Sequence, residues 1–131
     1  MRLVGDTNDM AAAFMLADVV VSASTDPEAF GRIIVEAQAM GRPVIATNHG
    51  AAPETVLNGV TGWLVAPGDP EALAKAISTA LGINEEQREA VAFAAERHAR
   101  GKFAKETMCA KTLALYERVV AEHARRGGKL R

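Results

Sequence analysis

Two carboxylates, Glu28 and Glu36, have seven residues between them in the stretch PEAFGRIIVEAQAMGRPVIAT, with Phe30 and Gly31 in the interval. An ionised carboxylate is an acceptor-only group that takes two hydrogen bonds from a vicinal diol such as a ribose. From Gly31, the residues Ile33, Ile34, Ala37 and Met40 recur at helical spacing until Gly41 closes the run. Glu28 therefore ends a loop, and Glu36 sits more than one turn inside a helix. The first turn of that helix carries unsatisfied N–H groups and the positive end of the macrodipole, a docking point for a phosphate or pyrophosphate, and Gly31 permits close approach to the main chain. The spacing taken alone favours two solvated surface carboxylates, so the surrounding string decides the matter.

The elements that must position these groups can be read on either side. Residues 18–22, DVVVS, are β-branched and apolar on both faces, as in a strand buried in a parallel sheet with helices on both sides. The turn formers Ser24-Thr25-Asp26-Pro27 follow, so the Glu28 loop falls at the carboxyl end of a strand, where open parallel sheets bind ligands. Residues 43–47 start the next strand directly after the helix. Upstream, Leu3-Val4-Gly5 reads as a short strand and Asp9 as the cap of a helix through Met10, Phe14, Met15 and Leu16. Downstream come a turn at Asn48-His49-Gly50, a short helix over 51–57 with Glu54 in its first turns, and a fourth strand over 62–65 ended by Pro67-Gly68-Asp69. Pro70 starts a helix whose Leu73, Ile77 and Leu81 give one face to the sheet. A charged, mostly solvated helix over 84–100 follows. The last helix, over 103–123, carries Leu113, Leu115, Tyr116, Val119 and Val120 as a broad apolar stripe.

The expected fold is α/β: a partial doubly wound, Rossmann-like parallel sheet of about four strands with flanking helices and a helical C-terminus. Residues 1–124 form one domain in this reading, and residues 125–131 a basic, flexible tail.

The string from Pro27 to Thr47 resembles the E-x7-E segment of retaining glycosyltransferases of family 4, which have the GT-B fold. The likeness continues through Gly50, Glu54 and Gly59-Val60-Thr61-Gly62-Trp63-Leu64-Val65 to Pro67-Gly68-Asp69, although relatives usually carry a second glycine where this chain has Ala51. It covers residues 3–81 closely and the C-terminal helices more loosely. The resemblance implies a nucleoside-diphosphate sugar as donor and no cofactor. Glu36 would bind the donor ribose, and Glu28 would face the sugar and phosphate as the catalytic carboxylate. The main-chain amides of Phe30, Gly31 and Arg32 would contact the diphosphate or sugar, Gly50 would lie along the donor, and Thr7 would meet the base through its backbone. Members of the family also have an N-terminal acceptor domain and two further strands with an Arg and a Lys for the diphosphate, neither of which precedes Met1. The chain is accordingly expected to be the donor-binding C-terminal part, truncated at its N-terminus. Two further readings stay open: a non-catalytic nucleotide-binding fragment, and a nucleotide-binding α/β domain unrelated to sugar transfer.

Length and composition bound these readings. The 131 residues are one domain's worth, and a net charge of −1 gives no electrostatic case for nucleic acid. The single cysteine, Cys109, excludes an internal disulfide and a Cys-rich metal site, and His49, His98 and His123 lack ligand spacing. With no signal-peptide pattern and no apolar run near membrane-spanning length, a cytoplasmic protein is expected. The basic tail offers at most a weak contact with an acidic membrane surface. Four strands of this kind correspond to the third to sixth of a doubly wound sheet, so the strand over 18–22 would present a bare apolar edge. A homodimer through that edge or through the last helix is the expected assembly.

Overall fold

The structure, a computed structural model, describes residues 5–125. The chain divides into two compact units, Met1–Arg100 and Gly101–Arg131. In the first, α1 (Met10–Leu16), β1 (Val20–Ser22), α2 (Arg32–Ala39), β2 (Val44–Thr47), α3 (Ala52–Thr55), β3 (Gly62–Val65) and α4 (Pro70–Gly82) follow one another, and α5 (Glu85–Phe103) closes the unit and runs on into the second. The second unit holds α6 (Lys105–Arg125).

The sheet is parallel, in the order β1-β2-β3. Val20 lies beside Val44 and Val44 beside Gly62, so the three strands run in step. β2, flanked on both sides, is buried along its whole length, which explains the apolar run Val44-Ile45-Ala46 before Thr47. Alternation divides its side chains between two cores. Val44 and Ala46 join Phe14, Ile34, Ala37 and Val56 on one face, and Ile45 joins Val65, Ala76 and Ala80 on the other.

Several of the expectations need correction. The sheet has three strands among the described residues, not about four: Leu3 and Val4 lie outside the described residues, and Gly5 belongs to no strand. β1 is shorter than residues 18–22, its ladder opening where the Val20 N–H donates to the Pro43 carbonyl at 2.9 Å. Nor is it buried on both faces, since Val21 is 41% exposed on a strand bonded only to β2 among the described residues. On α4, Leu81 is 53% exposed, and the helix closes on the sheet through Ala76 and Ala80, flanked by Leu73 and Ile77. A step of four residues overshoots a helical turn by about 40°, so two such steps carry Leu81 away from the face that Leu73 starts.

Local chemistry fixes the ends as read from sequence. Asp9 accepts from the Ala12 N–H at 2.9 Å and Asp69 from the Ala72 N–H at 2.8 Å, two side-chain caps at helix starts. α5 buries only Ala95 and Ala99, as its charged sequence requires. Phe103 belongs to α5 and not to the last helix, and α6 buries none of its residues, leaving Leu113, Leu115, Tyr116, Val119 and Val120 exposed. Of the expected tail only Arg125 lies within the described residues.

Ile45 is wholly buried between strands and helix, so Ile45→Ala should cost about 2–5 kcal/mol, whereas the exposed Leu81→Ala should cost about 0.5 kcal/mol or less. Urea unfolding of the two variants compares them directly, and equal losses would contradict this core assignment.

Candidate functional site

The loops that leave β1 and β2 meet at the carboxyl ends of these strands, and main-chain atoms join them. The Ser24 carbonyl accepts from the Thr47 hydroxyl at 2.7 Å and lies 2.9 Å from His49 Nε2. Four residues on, the Glu28 carbonyl accepts from the Ala51 N–H at 3.0 Å. Between these ties the chains touch at Gly50, whose φ is +56°; a Cβ there would stand 2.5 Å from the Glu28 carbonyl oxygen and 2.8 Å from its nitrogen. Only glycine provides both the left-handed backbone and the empty space. Ser24 also forms its own turn, its hydroxyl donating to the Asp26 carbonyl at 2.8 Å.

Held in this way, the Glu28 loop delivers its carboxylate to the start of α2. Gly31 is the N-cap residue, with φ 71° and ψ 55°, and no side chain caps the helix. A Cβ on Gly31 would lie 3.4 Å from Glu28 Oε2, so the carboxylate rests directly beside the helix start. This carboxylate, with Gly31 and Ile34 from the start of α2, lines a pocket whose other polar residues are Ser22, Ser24, Thr47, His49 and Thr55. A site with dipole-oriented N–H donors beside a carboxylate and several hydroxyls suits a ligand that is anionic at one end and hydroxylated at the other.

Glu36 stands further along α2 with its side chain 41% exposed, paired with Arg32 through Nη2 at 3.0 Å and Nε at 3.3 Å on the same carboxylate oxygen. An exposed i, i+4 pair of this kind is worth about 0.3–0.5 kcal/mol, little enough for a ligand hydroxyl to displace. The pocket thus unites Glu28 and Gly31 from the expected set. Arg32, Glu36 and Phe30, which is 46% exposed, lie beside it on α2 and at the end of the loop. Gly50 packs against Glu28. Thr7 is elsewhere, in the exposed segment before α1, where its hydroxyl accepts from the Asp9 N–H at 3.1 Å. Glu54 is an exposed residue in the first turn of α3.

Sequence reasoning missed Gln38. It lies on the apolar face of α2, is fully buried, and donates to the Thr55 carbonyl at 2.9 Å, tying α2 to α3. An amide on the buried face of a helix was the available signal. The hydroxyl cluster of Ser22, Thr47 and Thr55 also went unread, although Thr47 is the polar residue that ends an apolar strand. Among the described residues no group of His, Cys, Asp and Glu is arranged to hold a metal ion, and no helix is long and apolar enough to cross a membrane.

The model of the family described as "Glycosyl transferases group 1" matches residues 1–82, the segment that contains the whole of this site. The chain belongs to the group 1 glycosyltransferases. A curated relative, the D-inositol 3-phosphate glycosyltransferase of Mycobacterium tuberculosis, is 39% identical over 127 residues, covering 93% of this chain and 26% of its own length. The crystal structure of a glycosyltransferase from Rickettsia africae matches with a TM-score of 0.86 and 37% identity, over 91% of this chain and 32% of the other. Anabaena HepE in complex with UDP and glucose matches with a TM-score of 0.75 and 36% identity, over 82% of this chain and 30% of the other. The chain spans about a quarter of the length of the curated relatives it matches. As a group 1 glycosyltransferase it is an α/β protein of an enzyme family, with its pocket at the strand ends.

Gly50→Ala should destabilise the chain and displace the Glu28 loop. Gly68, with φ +73° and nothing within 4 Å of an added Cβ, is the control for backbone strain alone. Gly68→Ala should cost about 1–2 kcal/mol, and Gly50→Ala a further 1–3 kcal/mol or so from the collision. Denaturant unfolding of both variants, with amide shifts of residues 24–28, measures the difference; indistinguishable variants would mean that the interlock has no energetic weight.

Proposed function

We propose that this chain binds the nucleoside-diphosphate sugar donor of a retaining glycosyltransferase. The observation that carries the reading is the Glu28 carboxylate resting beside Gly31 at the uncapped start of α2, with Glu36 on the same helix. In this reading the diphosphate docks on the first-turn amides of α2, and Glu36 takes the ribose hydroxyls in exchange for Arg32. Glu28 faces the sugar. As the sugar–phosphate bond breaks, negative charge grows on the diphosphate, where the amides and the helix dipole already point, so the stabilisation is greatest in the transition state. The complexes of Anabaena HepE with UDP and with UDP-glucose support a uridine nucleotide as the first ligand to try.

The acceptor requires a second wall, and we assign it to sequence of the kind that relatives carry beyond the matched region. The donor-binding domain comprises residues 1–124 in this proposal, and a cytoplasmic location belongs to it as well. If nothing supplies the second wall, the chain is a non-catalytic nucleotide-binding fragment. Assembly is part of the proposal: the open edge of β1, with Val21 exposed, pairs with its copy across a two-fold axis, and the apolar stripe of α6 is the alternative surface.

Titration calorimetry with uridine, guanosine and adenosine diphosphates tests the site. Glu36→Ala should weaken nucleotide binding by about 1–3 kcal/mol, the worth of one or two hydrogen bonds to a charged group. Equal affinity of the parent chain and the variant would remove Glu36 from its role. Light scattering at micromolar concentrations should report a dimer, and a monomer throughout would sink the edge-pairing proposal.

A further inference from the structure

His49 is the one imidazole in the pocket wall, and its surroundings assign its protons. Nε2 lies 2.9 Å from the Ser24 carbonyl. A carbonyl oxygen only accepts, so Nε2 must carry the hydrogen. The other nitrogen, Nδ1, is buried without a hydrogen-bond partner among the described residues, so no protein group calls for the opposite tautomer. The same Ser24 carbonyl takes the Thr47 hydroxyl at 2.7 Å, and the chain then runs four residues to Glu28, whose own carbonyl is tied to Ala51. His49 thus donates at the start of the segment whose far end presents the Glu28 carboxylate beside Gly31.

We propose that His49 is a positioning residue for Glu28: its Nε2–H, donated to the Ser24 carbonyl, holds residues 24–28 where the carboxylate meets the sugar of the donor. The inference rests on the donor-site reading above. It differs from a sugar contact by His49 itself, because the imidazole acts through the loop. Since the ribose is assigned to Glu36 and the diphosphate to the α2 amides, neither of which His49 touches, its loss should be felt on the sugar side of the donor only.

Substitution can separate the two ring nitrogens. The amide NH2 of glutamine places a donor near the position of Nε2, and that of asparagine near Nδ1. His49→Gln should therefore keep the loop, and His49→Asn and His49→Ala should release it. In the intact chain labelled with 15N, the imidazole signals should report the Nε2–H tautomer, and the amide shifts of residues 24–28 should move in the Asn and Ala variants and return in the Gln variant. UDP-glucose binding should weaken roughly five- to tenfold in the Asn and Ala variants, the loss expected from one hydrogen bond, while UDP binding stays within about twofold. An Nδ1–H tautomer, equal loss of UDP and UDP-glucose, or Asn and Gln variants that behave alike would overturn the proposal. Failure of the parent chain to bind either nucleotide would count against the donor-site reading, and the tautomer and the loop shifts would still decide for or against the role of His49 in placing Glu28. If the Ala variant unfolds, the contrast between the Gln and Asn variants carries the same decision.

Discussion

The site depends on the contact between the main chain of Glu28 and Gly50. Two loops from neighbouring strands can approach this closely only because one of them has no side chain at the point of contact and adopts a left-handed turn there. Everything that gives the pocket its chemistry follows from this approach. The Ala51 N–H reaches the Glu28 carbonyl, the Thr47 hydroxyl and His49 reach the Ser24 carbonyl, and the carboxylate comes to rest at the start of α2.

The sheet supplies the rigidity that this contact needs. β2 is the buried central strand, and both loops of the site are anchored to it, one directly at Thr47 and the other through the hydrogen bonds that cross from β1. α2 is fixed at its far end as well, because the buried Gln38 amide joins it to the Thr55 carbonyl of α3. The helix that carries Glu36 and the segment that carries His49 and Gly50 are therefore parts of one block, and the pocket lies at the end of that block where the helix has no side-chain cap.

Much of this was legible in the sequence, and the parts that were not share a cause. The extent of α2 between Gly31 and Gly41, the cap at Asp9, the helix start at Pro70 and the strand directly after α2 all follow from periodicity and turn chemistry over a few residues. The length and exposure of β1 did not, because a run of three valines records apolar character but not which neighbours the strand has. Leu81 misled because a row every four residues drifts around the helix, while the small residues Ala76 and Ala80 mark the closest approach to the sheet. The pocket depends on partners far apart in sequence: Thr47 and Ser24 are separated by 23 positions, and no local pattern pairs them. Gly50 was legible as a turn, but its close approach to the main chain of Glu28 exists only in three dimensions.

The hydrogen bonds that seat the Glu28 loop end on two backbone atoms, the carbonyl oxygens of Ser24 and Glu28. An anchor built in this way is blind to the side chains of the loop it holds. Thr25, Asp26 and Pro27 are exposed and contribute neither of those atoms, so the two ties place no demand on their side chains. The fold thereby separates the main-chain atoms that hold the loop from the exposed side chains between them, which can vary without breaking either tie.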